Sequence, residues 1–193
     1  MEVLGSPKIS IEPTVEPISL VEAKSQIRVD ISDDDTLISS YIKASRIDCE
    51  DFLNRQMITA TWELYLDFFP SIIYLPRPPL QSVSSIKYYD SDDILQTISS
   101  SDYIVDTKSF QGRIVEASSY SWPSTYDKPN AVIVTFVCGY GDEGSDVPET
   151  FRQAIRLLVG HYYENREETQ IIQMRELPAG VSRLLWKKRN KVF

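Results

Sequence analysis

The chain is predicted to fold as α+β, a helical body interrupted by an antiparallel β insertion. Three observations carry this reading. Residues recur at helical spacing near both ends: Leu37, Ile38, Tyr41, Ile42, Ser45, Cys49, Phe52 and Leu53, then Phe151, Ala154, Ile155, Leu158 and Tyr162. Between these stripes the period shortens to two, as Trp62, Leu64, Leu66 and Phe68 alternate with Glu63, Tyr65 and Asp67. Prolines and glycines mark the breaks, at Pro76, Pro78 and Pro79, Gly112, Gly139–Gly144, Pro148 and Pro178.

Residues 1–17 hold three prolines and no period, and are expected to be an N-terminal arm, flexible or docked. Ser19 followed by Glu22 is a capping box, which starts a helix of about two turns over LVEAKSQIR. The acidic run DISDDD (Asp30–Asp35) is expected to cap a second helix from about Asp34 to Arg55, since carboxylates favour the positive end of the helix dipole. These helices, residues 18–57, and the segment 147–186 make up the helical body, and residues 58–146 the β-rich insertion. Within the insertion, Ile72–Leu75 reads as a short strand stopped by prolines. Val83–Tyr89 and Ile94–Ile98 flank the polar loop Asp90–Asp93 as a hairpin, and Tyr103–Val105 and Arg113–Val115 flank a second turn. Ala131–Cys138 (AVIVTFVC) is the strongest strand signal, rich in β-branched residues. Pro148 is expected at the first position of a helix of about 20 residues. After Leu177-Pro178, a short amphipathic helix carrying Val181, Leu184, Leu185 and Trp186 runs into a basic C-terminal tail, residues 187–193.

At 193 residues there is room for one domain or a domain with one sizeable insertion. No apolar run approaches the roughly 18–20 residues that span a bilayer. The N-terminus is acidic and proline-rich instead of basic and then apolar, so no secretory signal is expected and the default location is cytoplasmic. Cys49 and Cys138 form no CxxC pattern and read as buried free thiols. The net charge of −8 is unevenly spread. Residues 58–147 carry 12 acids and 5 bases, whereas residues 148–193 carry 5 acids and 9 bases. An acidic body with a basic end suggests an acidic partner, or head-to-tail contact between copies, and argues against wrapping DNA.

The chemistry-bearing residues do not assemble into a catalytic set. Asp33–Asp35 could bind a metal, but nothing downstream supplies further ligands, and helix capping explains them. His161, Glu164 and Glu168 share a helix face and could hold a divalent ion weakly; a partly buried histidine among Tyr162 and Tyr163 is the plainer reading. GYGDEG (Gly139–Gly144) joins a strand to a helix, yet it matches no phosphate-loop pattern, and Asp142, Glu143 and Asp146 would repel phosphate. No GxSxG motif accompanies the lone histidine. The chain therefore reads as neither an enzyme nor a metal or cofactor binder. The tail residues Lys187, Lys188, Arg189 and Lys191 have three readings: a nucleic-acid contact, a solvated extension, or an arm that docks on an acidic partner with Trp186 and Phe193 as apolar anchors.

From Ile18 to Arg189 the chain resembles the bacteriophage head–tail connector (adaptor) proteins. The resemblance is carried by SLVEAKSQIRVD with DDDTLISSYIKAS, ITATWELYLDFFP, IYLPRPPLQSVSSIKYYD, VIVTFVCGYG, VPETFRQAIRLLVGHYYENRE and LPAGVSRLL, in that order and spacing. It implies a structural virion protein of the neck, assembled in the host cytoplasm. Such proteins form a ring, commonly of twelve subunits, under the portal vertex, extend the DNA channel and dock stopper or tail proteins. It also implies that the C-terminal segment reaches the portal, which makes Trp186, Lys187, Lys188, Arg189, Lys191 and Phe193 the expected portal contacts. Arg152, Arg156, Tyr163 and Arg166 are carried as candidates for the contact between subunits. A stopper or tail-completion protein and a DNA-binding packaging factor are the alternative roles.

Overall fold

A computed structural model describes residues 5–166 and 177–190. The described residues combine four α-helices with eight strands, all of them paired antiparallel, so the fold is α+β. The chain divides into two compact units, Met1–Pro13 with Thr59–Tyr140, and Thr14–Ile58 with Gly141–Phe193.

The first unit is all β. Its five-stranded sheet runs β1 (Ser6–Ile11), β2 (Ala60–Leu66), β8 (Val132–Cys138), β4 (Leu80–Tyr89), β5 (Leu95–Thr97). A three-stranded sheet runs β3 (Ile72–Tyr74), β7 (Arg113–Glu116), β6 (Tyr103–Asp106). β8 sits at the centre of the larger sheet because its alternate residues Val132, Val134, Phe136 and Cys138 are all buried. In the register Trp62 faces Phe136 and Leu64 faces Val134. The core adds Leu66, Ile73, Leu75, Leu80, Ile86, Ile98 and Ile114, flanked by Phe69 stacked on Trp122 at 4.8 Å. Burying each such aliphatic or aromatic side chain contributes about 1.5–3 kcal/mol, so this cluster is the dominant stabilising term of the unit. Gly112 is required by close approach: a Cβ there would lie 2.4 Å from Leu80 Cδ2, while its carbonyl accepts the Leu75 N–H at 2.8 Å.

Of the two forms expected for the N-terminal arm, the described residues take the docked one, and part of it is a strand. Ser6–Ile11 is an edge strand paired with β2, with Ile9 opposite Trp62. Ile9 and Ile11 alternate with Lys8 and Ser10, a strand pattern that the flanking prolines disguise, and an edge position tolerates proline because one side of the strand needs no donor. The β unit is accordingly not a simple insertion; its first strand precedes the helices, and residues 141–146 belong with the helical unit.

The second unit packs α1 (Leu20–Ile27), α2 (Asp35–Leu53), α3 (Glu149–Glu164) and α4 (Ala179–Trp186). Ala23, Ile38, Ile42, Cys49, Leu53, Phe151, Ala154, Ile155, Leu158 and Val159 fill its interior. The Ser19–Glu22 capping box forms as the spacing indicates. α3 is 16 residues, shorter than expected, and Pro148 takes the N-cap and not the first helical position. α2 ends at Asn54, whose φ of 53° is a left-handed conformation that asparagine tolerates. A polar cluster lies inside the unit. Arg46 donates to Glu50 at 2.8 Å and to Glu16 at 2.8 Å, and Glu50 also accepts from Gln56 Nε2 and the Met57 N–H. Arg46 and Glu50 are both buried, which the sequence periodicity gives no sign of.

Candidate assembly surfaces

The C-terminal surface is built by α4 and the turn that follows it. Val181 and Leu185 point inward and are buried, which leaves Leu184 and Trp186 facing out, the latter 56% exposed. The Trp186 ring packs at 6.4 Å on Phe52 of α2, and the Arg189 guanidinium sits 5.3 Å from the same Phe52 ring. The chain then folds back onto the end of α2. The Lys188 and Arg189 N–H groups donate to the carbonyls of Leu185 and Trp186. Arg55 Nε donates to the Lys188 carbonyl at 2.8 Å, and the Asn190 N–H donates to the Leu53 carbonyl at 2.8 Å. The last carbonyls of a helix have no partner inside it, so Asn190 supplies one that α2 lacks. Asn190 is consequently buried, while Lys187, Lys188 and Arg189 stay exposed. Residues 187–190 thus form a turn docked on the end of α2. Residues 177–190 hold four bases, Arg183, Lys187, Lys188 and Arg189, and no acid. Lys191 and Phe193 lie outside the described residues.

α3 and the residues just past it carry the four candidate interface residues, each engaged within its own chain. Arg152 donates to Glu22 at 2.6 Å, to Glu149 at 2.9 Å and to the Pro17 carbonyl at 3.0 Å. Arg156 donates to Glu22 at 2.8 Å and to Glu149 at 2.5 Å. Glu22 therefore joins the start of α1 to two arginines of α3. The Ser19 backbone N–H, then the arginines, hold its carboxyl down at about 2. The Tyr163 hydroxyl donates to Asp34 at 2.7 Å, Arg166 donates to the same carboxylate at 2.6 Å, and the Arg166 guanidinium lies 4.2 Å from the Tyr163 ring. These bonds, Tyr163 first, lower the Asp34 carboxyl below its usual range. Asp34 stands at the N-cap of α2 as its place in the acidic run suggests, but makes no side-chain capping bond, because Tyr163 and Arg166 compete for its oxygens. Asp35 likewise pairs with Lys24.

The remaining sequence candidates do not converge. His161 is exposed, not partly buried; its ring lies 6.0 Å from that of Tyr162, and its carbonyl accepts from Asn165. Glu168 lies outside the described residues, and no group of three potential ligands occurs among the described ones. Gly141 follows β8 and pairs with Ile58, while Asp146 accepts the Glu143 N–H, so GYGDEG closes as a turn. Among the described residues no helix is long and apolar enough to cross a membrane.

Residues 17–189 match the family described as phage gp6-like head–tail connector protein. The chain belongs to that family. Its class is a structural connector and not a class of enzyme. The fold has counterparts among solved structures. A chain in the neck of an empty gene transfer agent particle, computed with C6 symmetry, superposes with a TM-score of 0.79 at 20% identity over 97% of each chain. One in the virion of the native gene transfer agent particle gives 0.78 at 20% identity, covering 97% of this connector and 96% of that chain. A third, from the native particle's neck computed with C12 symmetry, gives 0.74 at 20% identity over 98% and 97%. At this identity the likeness is one of fold. No curated protein sequence matches the chain.

The residues that sequence reasoning missed are Phe52, Arg55 and Asn190. Phe52 was legible as part of the α2 stripe, yet it is only half-buried and serves as the platform under Trp186. Arg55 and Asn190 gave no signal, since their bonds join positions far apart in the chain.

Proposed function

We propose that this connector assembles as a closed ring of twelve copies under the portal, extends the DNA channel, and offers its far side to stopper or tail proteins. The observation that carries the reading is the acid-free surface of residues 177–190, with an exposed Trp186 among four bases, at the end of a chain whose net charge is −8. Trp186, Lys187, Lys188 and Arg189, with Lys191 and Phe193 beyond them, are proposed to meet an acidic, partly apolar face of the portal. A ring needs two different complementary faces per subunit, and an acidic chain with a basic end can supply them. Arg152, Arg156 and Tyr163 of α3, with Arg166 just past its end, are proposed for that contact, their side chains already oriented by the bonds to α1 and Asp34. The symmetry of the gene transfer agent necks supports a ring by analogy. A channel lined by acids would let DNA slide, where a basic lining would hold it. On this reading the protein acts in the virion neck and passes through the host cytoplasm during assembly.

Negative-stain imaging of the purified chain mixed with portal tests it. A ring stacked directly on the portal is the expected result. A chain that stays monomeric both alone and with portal overturns the proposal. A ring that binds only below another neck protein would favour the stopper role instead.

A further inference from the structure

We infer that Arg55 and Asn190 are positioning residues for the C-terminal contact surface, and that Phe52 is part of that surface. The inference rests on the proposed reading that residues 186–193 meet an acidic partner. Three observations place these residues together. Arg55 is buried, and its Nε reaches the carbonyl of Lys188 at 2.8 Å. Asn190 is buried, and its N–H reaches the carbonyl of Leu53 at 2.8 Å. The two bonds hold the turn on either side of Arg189, whose guanidinium is thereby set over the Phe52 ring beside Trp186. What faces outward is a fixed aromatic and cationic surface drawn from two helices far apart in sequence.

The chemistry of this surface defines its occupant: an acidic segment that carries an apolar side chain. Trp186 and Phe52 offer two apolar rings tilted at 49°, and Lys187, Lys188 and Arg189 flank them with donors in a stretch, residues 177–190, that holds no acid. A basic tail free in solution would have to be ordered on binding, which weakens association. A turn already clamped to α2 has that ordering done in advance.

Two variants test the clamp in the full-length chain. Asn190→Pro removes the N–H that the Leu53 carbonyl accepts. Arg55→Met removes the donor to Lys188 while keeping most of the buried stem. The first readout is trypsin cleavage after Lys187 and Lys188, followed by mass spectrometry; the bond after Arg189 is not scored, because trypsin does not cut before proline. Both variants are expected to be cut there at least about fivefold faster than the parent, because cleavage requires the turn to open. The second readout is co-sedimentation with portal rings. Both variants, and Phe52→Ala, are expected to bind about tenfold more weakly, the cost of ordering a freed segment or losing its platform. Unchanged cleavage in both clamp variants overturns the inference. So does faster cleavage with undiminished portal binding, provided that Lys187→Glu/Lys188→Glu abolishes binding. If that charge reversal also leaves binding intact, the portal reading itself fails.

Discussion

Replacing Glu50 with leucine should be the most damaging single change in the helical unit. Its carboxylate is buried and accepts from Arg46 at 2.8 Å, Gln56 at 2.8 Å and the Met57 N–H at 2.9 Å. Leucine leaves the pocket filled but removes an acceptor from two neutral donors, each worth about 1–3 kcal/mol when buried. It also strips a counter-charge from Arg46, although Glu16 remains at 2.8 Å. Breaking one side of a buried ion pair typically costs about 3–5 kcal/mol, and the Glu16 contact places this case toward the lower end. The double variant Arg46→Met/Glu50→Leu removes both charges, so it should cost at least about 1 kcal/mol less than the sum of the two single changes. Urea unfolding followed by helical circular dichroism measures all four members of the cycle. A loss below about 1 kcal/mol for Glu50→Leu, or strict additivity in the cycle, would refute the claim that this cluster holds the unit together.

Further outcomes follow from particular residues. Gly160→Ala should stabilise α3 by about 0.5–1 kcal/mol, because a Cβ there meets only Ile27 Cγ2 at an ordinary 3.9 Å; a lowered melting temperature would contradict this. Glu22 has its carboxyl depressed to about 2 from an ordinary 4.5, so its stabilising effect is whole above about pH 4.5 and is lost as the pH falls through about 2. Glu22→Gln should flatten the acid limb of the stability profile in that window, and an unaltered limb would count against the network. Burial pushes the Cys49 thiol up to about 12, so a thiol reagent at pH 8 should label it only after denaturation; rapid labelling of the native chain would show the site open.

Local rules made most elements legible. The Ser19–Glu22 box, the α2 and α3 stripes, both hairpins and the β-branched run of β8 follow from spacing that acts within a few residues. What depends on distant pairing did not show. β1 was hidden because Pro7 and Pro13 read as breakers; Pro7 lies within the strand, where only the sheet edge makes it tolerable, and Pro13 lies beyond its end. The order of the five-stranded sheet, with β8 between β2 and β4, is fixed by side-chain burial and not by any turn. Asp34 stood where a cap belongs, yet Tyr163 and Arg166 arrive from the far end of the chain and take its carboxylate. The basic residues of the C-terminal surface were visible from composition. Their fixed geometry was not, because Arg55 and Asn190 lie 135 positions apart.

The division of the helical unit between the two ends of the chain also sets a timetable. α1 and α2 leave the ribosome well before the helices they pack against and the Asn190 amide that finishes α2. At roughly 5–20 residues per second, α2 waits several seconds or more for α3, while the β strands between them are synthesised. A nascent or prematurely terminated chain can complete much of the sheet but cannot complete the C-terminal surface. A chain that stops short of Asn190 lacks the amide that finishes α2 and, with it, the clamp on that surface.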